Sequence, residues 1–245
     1  MMETQNPVLK TKYFQPSAIS DAAEMTVQGV ALKTLFLLAL VGLAGAFSWS
    51  QYAAGNWAIL VPLIIAGLLG GLVIALVIVF KQTWAPFLAP VYAVLEGLAI
   101  GAISAFFETS YPGIVIQAVL LTFGVLFAML FVYVTRIIKV TPGFRTGVML
   151  ATFGIALAYL GTFLLSLFGI RVPFIHQTGW VGIAISLVIV GVAALNLLLD
   201  FDFIERAAAN RAPKHMEWFG AFGLVVTLIW LYLELLRLLG RFRSR

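Results

Sequence analysis

A single acidic residue, Glu96, lies in the middle of a long apolar run of this 245-residue chain. No side chain of opposite charge lies within four residues of it, so any partner is on another element. A charge at the centre of a lipid bilayer costs at least about 2.5 kcal/mol on insertion scales. Two interpretations are open: a carboxyl group in an ion or proton path, or a protonated acid hydrogen-bonded to a neighbouring helix.

Two aspartates, Asp200 and Asp202, close a later apolar run. Asn196 and Asp200 are four residues apart and share a helix face, which continues back to Ser186. A polar seam therefore leads along this helix to Asp200, and this favours a functional role for that residue. For Asp202, we favour an interfacial carboxylate that is solvated beside Arg206.

A second pair of acids, Glu217 and Glu234, lies on the last apolar run. Seventeen residues separate them by roughly 25 Å along a helix, so at most one of them can lie beside Asp200. Glu217 is at the same end as Asp200, and we predict that these two acids are neighbours. Two carboxylates in a poorly solvated site cannot both ionise easily, so such a pair would act as a pH switch. The alternative is that Asp200 pairs with Arg206 or Lys214.

Steps of three and four residues place Glu217 and Glu234 on one helix face. A face with an acid at each end suits a helix at the centre of a bundle. Two interpretations of Glu234 are open. It forms an ion pair with Arg237, which is three residues further along the helix, or it lines an ion path.

The composition predicts that these acids belong to a polytopic membrane protein. About 62% of the residues are hydrophobic and 10% are charged, against about 25% charged in a soluble domain. Each apolar run is long enough for a helix that crosses a bilayer core of about 30 Å. The sequence therefore predicts an all-α membrane protein with seven transmembrane helices. The runs are roughly 30–50, 58–80, 86–107, 113–135, 147–169, 179–199 and 217–239.

Three parts are expected: a polar cytoplasmic segment at 1–28, the seven-helix domain at 29–240 and a basic tail at 241–245. Lys and Arg residues in short loops set orientation, and an inside N-terminus places ten of them inside and only Arg171 outside. The exceptions are the C-terminal arginines, which then lie outside. The ten inner residues are Lys10, Lys12, Lys33, Lys81, Arg136, Lys139, Arg145, Arg206, Arg211 and Lys214.

Small residues recur every four positions around Glu96. They are Ala93, Gly97, Gly101 and Ala105. Such a ridge allows close packing between transmembrane helices, so we predict that another helix lies against it.

An enzyme is not expected. The chain has no His-Glu-x-x-His motif and no phosphate-binding glycine loop with a lysine, and Ser104 and Ser166 have no histidine within a span to activate them. An aspartyl intramembrane protease would require Asp200 and Glu217 to face each other. No cofactor is expected beyond Ca²⁺ as a permeant ion, and no metal ligand set is defined. The net charge of +5 is attributed to membrane orientation, so nucleic acid is not an expected partner.

Several stretches resemble the Bax inhibitor family, the transmembrane Bax inhibitor motif proteins. Residues 91–101, with Glu96-Gly97 and Gly101, resemble its Glu-Gly-x-x-x-Gly helix. Residues 196–204 are similar to its sixth helix, which ends in an aspartate, and residues 230–239 to the leucine-rich end of its last helix. Residues 6–9 and 217–219 resemble the bacterial branch of the family.

The resemblance implies a seven-helix fold with the last helix at the centre. It also implies a calcium leak or channel that is gated by pH through two carboxylates, one at the end of helix six and one in helix seven. Asp200 matches the first carboxylate, and the alignment on the leucine-rich end places Thr227 near the second. Glu217 or Glu234 substitutes for the missing acid, or the gate is absent.

Together these observations predict a cation leak channel or transporter, for calcium or linked to protons, with pH sensing by carboxylates. Hard cations take oxygen ligands, which suits the acids. The alternative is a membrane regulator or scaffold that transports nothing and acts through protein partners in stress or cell-death control. The expected surroundings are the lipid bilayer of a bacterial plasma membrane and a permeant cation, and the sequence identifies no protein partner.

Overall fold

The computed structural model describes residues 24–169 and 179–244, and the regular elements in these ranges are helices. Each helix is long and apolar enough to cross a membrane, so the prediction of an all-α protein with seven spanning helices is confirmed. The helices are α1 (Val27–Ala53), α2 (Trp57–Phe80), α3 (Ala85–Ser110), α4 (Ile114–Val134), α5 (Pro142–Leu167), α6 (Trp180–Ala209) and α7 (Met216–Arg243), with a 3₁₀ turn at Gln82–Trp84.

The helix ends follow local sequence signals. Thr26 caps α1 by accepting a hydrogen bond from the Gly29 amide, and Thr141 caps α5 in the same way just before Pro142. The turn between α3 and α4 needs a left-handed residue, which Gly113 supplies at φ 78°.

The α6 helix is longer than its apolar run predicts. It continues to Ala209, so Asp200 and Asp202 lie within the helix and the loop before α7 is short. The helix therefore ends ten residues beyond the apolar run predicted at 179–199. The reason is that polar side chains in the last turns are paired, as Asp202 is with Arg206, so they do not end the helix.

The last helix lies at the centre of the bundle, as predicted. In α7, 72% of the most apolar stretch is buried, compared with 6% in α5. The neighbours of α7 are α1, α3, α4 and α6. The side chains of α5 are largely exposed, and α5 lies at the outside of the bundle against α6.

The start of α1 and the loop between α6 and α7 lie at the same end of the bundle. The Met25 amide donates to the Ala212 carbonyl at 2.8 Å, and Glu24 and Pro213 form a single β-bridge. This end is the one that the charge pattern predicts to face inward. The polar N-terminal residues 1–23, and Arg171 and His176, lie outside the described residues.

The ridge of small residues on α3 packs against α1. A Cβ atom on Gly97 would lie 2.6 Å from the Val41 carbonyl oxygen, and one on Gly101 would lie 2.6 Å from the Gly45 Cα atom. Ala93 and Ala105 are fully buried. Only glycine lets the two backbones approach this closely, so the ridge sets the distance between α1 and α3.

Candidate functional site

The side chain of Asp200 lies between α6 and α7, beside Thr227. The Thr227 side chain is within hydrogen-bonding reach of the carboxylate, while Oδ2 of Asp200 is buried and has no hydrogen-bond partner in the structure. A small cavity of about 160 Å³ adjoins Asp200 and is also lined by Phe203 and Phe219. An unsatisfied buried carboxylate oxygen beside an open space is suited to a proton, a water molecule or a cation.

Glu217 faces the start of α1 and is fully buried. Its carboxylate accepts hydrogen bonds from Lys33 Nζ at 2.5 Å, and from the Thr26 amide and hydroxyl at 2.9 and 2.8 Å. Lys214 adds an ion pair at 2.8 Å. Glu217 therefore ties the start of α1 to the start of α7 and is held by two cations.

The predicted pair of Asp200 with Glu217 is wrong. The α7 side chain that bonds to Asp200 is Thr227, whereas the Glu217 carboxylate is bonded to Lys33, Thr26 and Lys214. The alternative partners proposed for Asp200 are also bound elsewhere, since Arg206 pairs with Asp202 and Lys214 with Glu217. Without two facing acids, the aspartyl protease hypothesis loses its catalytic pair.

Asp202, Asn196 and Glu234, which the sequence also offers for an ion path or pH sensing, bond to one face of α5. Arg145, Thr152 and Tyr159 are spaced by seven residues and so lie on one face of α5. Arg145 contacts Asp202 at 2.5 Å, and Thr152 accepts a hydrogen bond from Asn196 Nδ2 at 2.7 Å. We call Arg145, Thr152 and Tyr159 the α5 polar row.

Glu234 bonds to the third member of this row. Its Oε1 accepts from the Tyr159 hydroxyl at 2.7 Å and from Arg237 at 2.6 Å, and Arg237 also donates to Tyr159 at 2.9 Å. The ion pair with Arg237, one of the two interpretations, is thus present. Glu234 is buried and links α7 to α5.

Two further C-terminal arginines are bound to the protein at the same end. Arg241 donates to the Ser186 hydroxyl at 2.8 Å, and Arg243 donates to the Pro112 carbonyl at 2.6 Å. The α7 helix extends through both residues, so residues 241–243 of the expected basic tail are helical. These hydrogen bonds hold Arg241 and Arg243 at the end of the bundle opposite the other basic residues.

Glu96 lies at the interface of α3 with α2 and is 8% exposed. Its side chain lies over Gly71, where a Cβ atom would be 2.5 Å from Oε1. Within the described ranges, no hydrogen bond or ion pair reaches its carboxylate. A protonated Glu96 would donate to an acceptor, so both interpretations stay predictions.

Aromatic rings lie between Glu96 and Asp200, two acids without a basic partner among the described residues. Tyr92, one turn before Glu96, contacts Phe222 at 4.9 Å between ring centroids. Phe222 in turn lies 6.4 Å from Phe219, which lines the cavity at Asp200. An apolar, aromatic layer therefore separates Glu96 from Asp200 in this conformation.

Sequence reasoning missed several residues of this arrangement. Lys33 was counted only for orientation, although a lysine near the start of an apolar run signals a buried partner. The seven-residue spacing of the α5 polar row was a readable signal as well. No pattern in the sequence identifies Gly71 as the residue that lies against Glu96.

The helices and these buried groups define a multi-pass integral membrane protein with ionisable side chains inside the bundle. The family model described as Bax inhibitor 1 like matches residues 6–244, and the chain belongs to this family. No curated protein and no solved structure matches the chain.

Proposed function

We propose that the protein passes cations across the membrane and that Asp200 and Glu96 line the path. The observation that carries the proposal is the Asp200 carboxylate, whose buried Oδ2 has no hydrogen-bond partner and adjoins a cavity. Ionisable groups inside a membrane protein mark ion or proton pathways by default.

The other acids inside the described helices support this choice by exclusion. The carboxylates of Asp202, Glu217 and Glu234 are each bonded to one or two basic side chains. Asp200 and Glu96 have no such bond within the described ranges. Glu108 has no basic partner there either, but its carboxylate accepts hydrogen bonds from the Gly113 and Val115 amides. The negative charge of Asp200 and Glu96 is therefore available to a cation. Carboxylate oxygens are the ligands that Ca²⁺ prefers, and Ca²⁺ is the ion we propose.

The aromatic layer between these acids acts as the closed gate. Apolar constrictions block ions by excluding water, and opening requires that Phe219 and Phe222 move apart. Glu96 and Asp200 lie on the two sides of this layer, and the neighbour of Asp200 on α7 is Thr227 and not a second acid. We therefore propose pH sensing by one carboxylate.

The proposal includes no catalytic activity, no cofactor and no nucleic-acid partner. The location that we propose is a bacterial plasma membrane, on the resemblance of residues 6–9 and 217–219.

The test is calcium uptake by liposomes that contain the purified protein, measured with an internal calcium dye between pH 5 and pH 8. Uptake above that of protein-free liposomes, with a rate that changes with pH, is the expected result. Uptake equal to that of protein-free liposomes at every pH would reject transport and favour the alternative, a membrane regulator that acts through protein partners.

A further inference from the structure

A long cleft runs between α1 and α4. Both helices pack against α7 but scarcely touch each other. Two cavities fill the space between them, one of about 700 Å³ at the predicted inner end and one of about 420 Å³ further along. Leu224 lines the first and Leu228, one helical turn on, lines the second, so the cavities follow one another along α7. We call this space the α1–α4 cleft.

The walls of the cleft are apolar along the bundle. Val27 and Val134 flank the inner cavity, and Gly42 and Phe123 flank the second. The side chains of Val27, Val134 and Phe123 are exposed, as is usual where a helix faces lipid. A cavity of several hundred Å³ is large enough for a drug-sized ligand or part of a lipid.

The inner end of the cleft is basic. Arg136 and Lys139 line it, and Lys139 has no hydrogen bond or ion pair to its ammonium group among the described residues. The Arg136 side chain is largely exposed, and its ion pair with Glu205 is long, at 3.9 Å. Asp202 adds little negative charge, because Arg145 and Arg206 both pair with it.

We propose that the α1–α4 cleft binds one anionic phospholipid of the inner leaflet. Arg136 and Lys139 bind its phosphate group, and the acyl chains lie along the apolar walls towards Gly42. Basic pockets between transmembrane helices on the cytoplasmic side bind anionic headgroups in this manner. A soluble anion would leave the apolar part of the cleft unfilled. A lipid without net charge would leave Lys139 without a counter-charge and Arg136 with only its long ion pair to Glu205. The proposal does not depend on cation transport.

The test uses native mass spectrometry of the full-length protein in detergent. Phosphatidylglycerol and phosphatidylcholine with the same acyl chains are titrated separately. Each cation near an anionic lipid contributes about 1 kcal/mol, which is roughly fivefold in affinity. We therefore expect phosphatidylglycerol to bind about 25-fold more tightly than phosphatidylcholine. Equal affinities for the two lipids would overturn the proposal.

Two variants locate the headgroup. The double variant Arg136→Gln, Lys139→Gln should bind both lipids equally, whereas Lys81→Gln, Arg211→Gln should keep the preference. The control pair lies at the same end of the bundle but does not line the cleft. If the Arg136→Gln, Lys139→Gln variant still preferred phosphatidylglycerol to phosphatidylcholine, the proposal would be overturned. So would competition by soluble glycerol phosphate at the concentrations at which phosphatidylglycerol binds, because that result defines a site for a free anion.

A third variant tests the acyl-chain part of the cleft independently. A Cβ atom at Gly42 meets nothing within 4 Å, so Gly42→Leu fills the cleft without a clash in the bundle. It should weaken the binding of both lipids several-fold, while Gly124→Leu, equally open but outside the cleft, should not. Equal lipid binding by Gly42→Leu and Gly124→Leu would contradict the proposal, even if the double arginine and lysine variant failed to fold.

Discussion

Thr227 of α7 lies beside Asp200 of α6, at the place where the resemblance to the Bax inhibitor family implies a second carboxylate. Neither Glu217 nor Glu234 replaces that acid, because Glu217 pairs with Lys33 and Lys214, and Glu234 pairs with Arg237. Any pH dependence that arises between α6 and α7 therefore rests on a single aspartate and its threonine neighbour.

Because α3 packs closely on α1, a larger side chain at position 97 should strongly reduce the yield of folded protein. The Gly97→Leu variant should give a much lower yield of monodisperse protein in detergent, since even a Cβ atom there would lie 2.6 Å from the Val41 carbonyl. Leu98→Ala should have a smaller effect. Gly124→Leu is the matched control, because its position is open. Equal yields for Gly97→Leu and Gly124→Leu would show that the helices do not pack in this way.

The buried ion pairs of Glu217 predict a large loss of stability on neutralisation. Glu217→Gln keeps the shape of the side chain but leaves Lys33 and Lys214 without their counter-charge, at a cost of about 3 kcal/mol. Unfolding in SDS, followed by circular dichroism, measures the change. Glu24→Gln serves as control and should cost less than about 1 kcal/mol, because its contact with Arg211 is long and exposed. A Glu217→Gln variant as stable as the control would contradict this role.

The α5 polar row predicts that single hydroxyl groups hold α5 in place. Thr152→Val removes the acceptor of the Asn196 hydrogen bond, and a bond between transmembrane helices contributes about 0.6 kcal/mol on average. Amide hydrogen exchange in α5 should become roughly threefold faster. Thr162→Val is the control, because that hydroxyl bonds to the Ala158 carbonyl of its own helix. Identical exchange in the two variants would mean that the row does not restrain α5.

Glu96 should contribute to transport at every pH. Glu96→Gln removes a buried charge that no described side chain neutralises, and calcium uptake should fall roughly tenfold between pH 5 and pH 8, which corresponds to about 1.4 kcal/mol. Glu108→Gln, on the same helix, is the control, because Glu108 accepts hydrogen bonds from the Gly113 and Val115 amides at the start of α4. Uptake that is equal in both variants would remove Glu96 from the path.

The helices could be predicted from the sequence because long apolar runs have few other folds available to them in a bilayer. The prediction failed at the end of α6, where Asp202 and Arg206 interrupt the run but neutralise each other and let the helix continue. The central place of α7 was predicted from Glu217 and Glu234 on one of its faces. The two acids bond to different helices, since Glu217 bonds to α1 and Glu234 bonds to α5.

The roles of the individual acids could not be predicted, because a role depends on which helix lies opposite. Glu217 and Asp200 are at the same end of the bundle, yet Glu217 faces Lys33 on α1 while Asp200 faces Thr227 on α7. Helix periodicity gives the direction of a side chain relative to its own helix and not the identity of the neighbour. The packed face of α5 could have been predicted, because the seven-residue spacing of the α5 polar row marks it.

Calcium uptake by the Asp200→Asn variant, compared with that of the wild type from pH 5 to pH 8, tests the central claim most directly. Asparagine keeps the size of the side chain and cannot titrate, so uptake by Asp200→Asn should no longer depend on pH. Thr227→Val, which removes only the neighbouring hydroxyl, should keep a pH-dependent uptake. A pH dependence in Asp200→Asn identical to that of the wild type would contradict the assignment of Asp200 as the sensing carboxylate of the path.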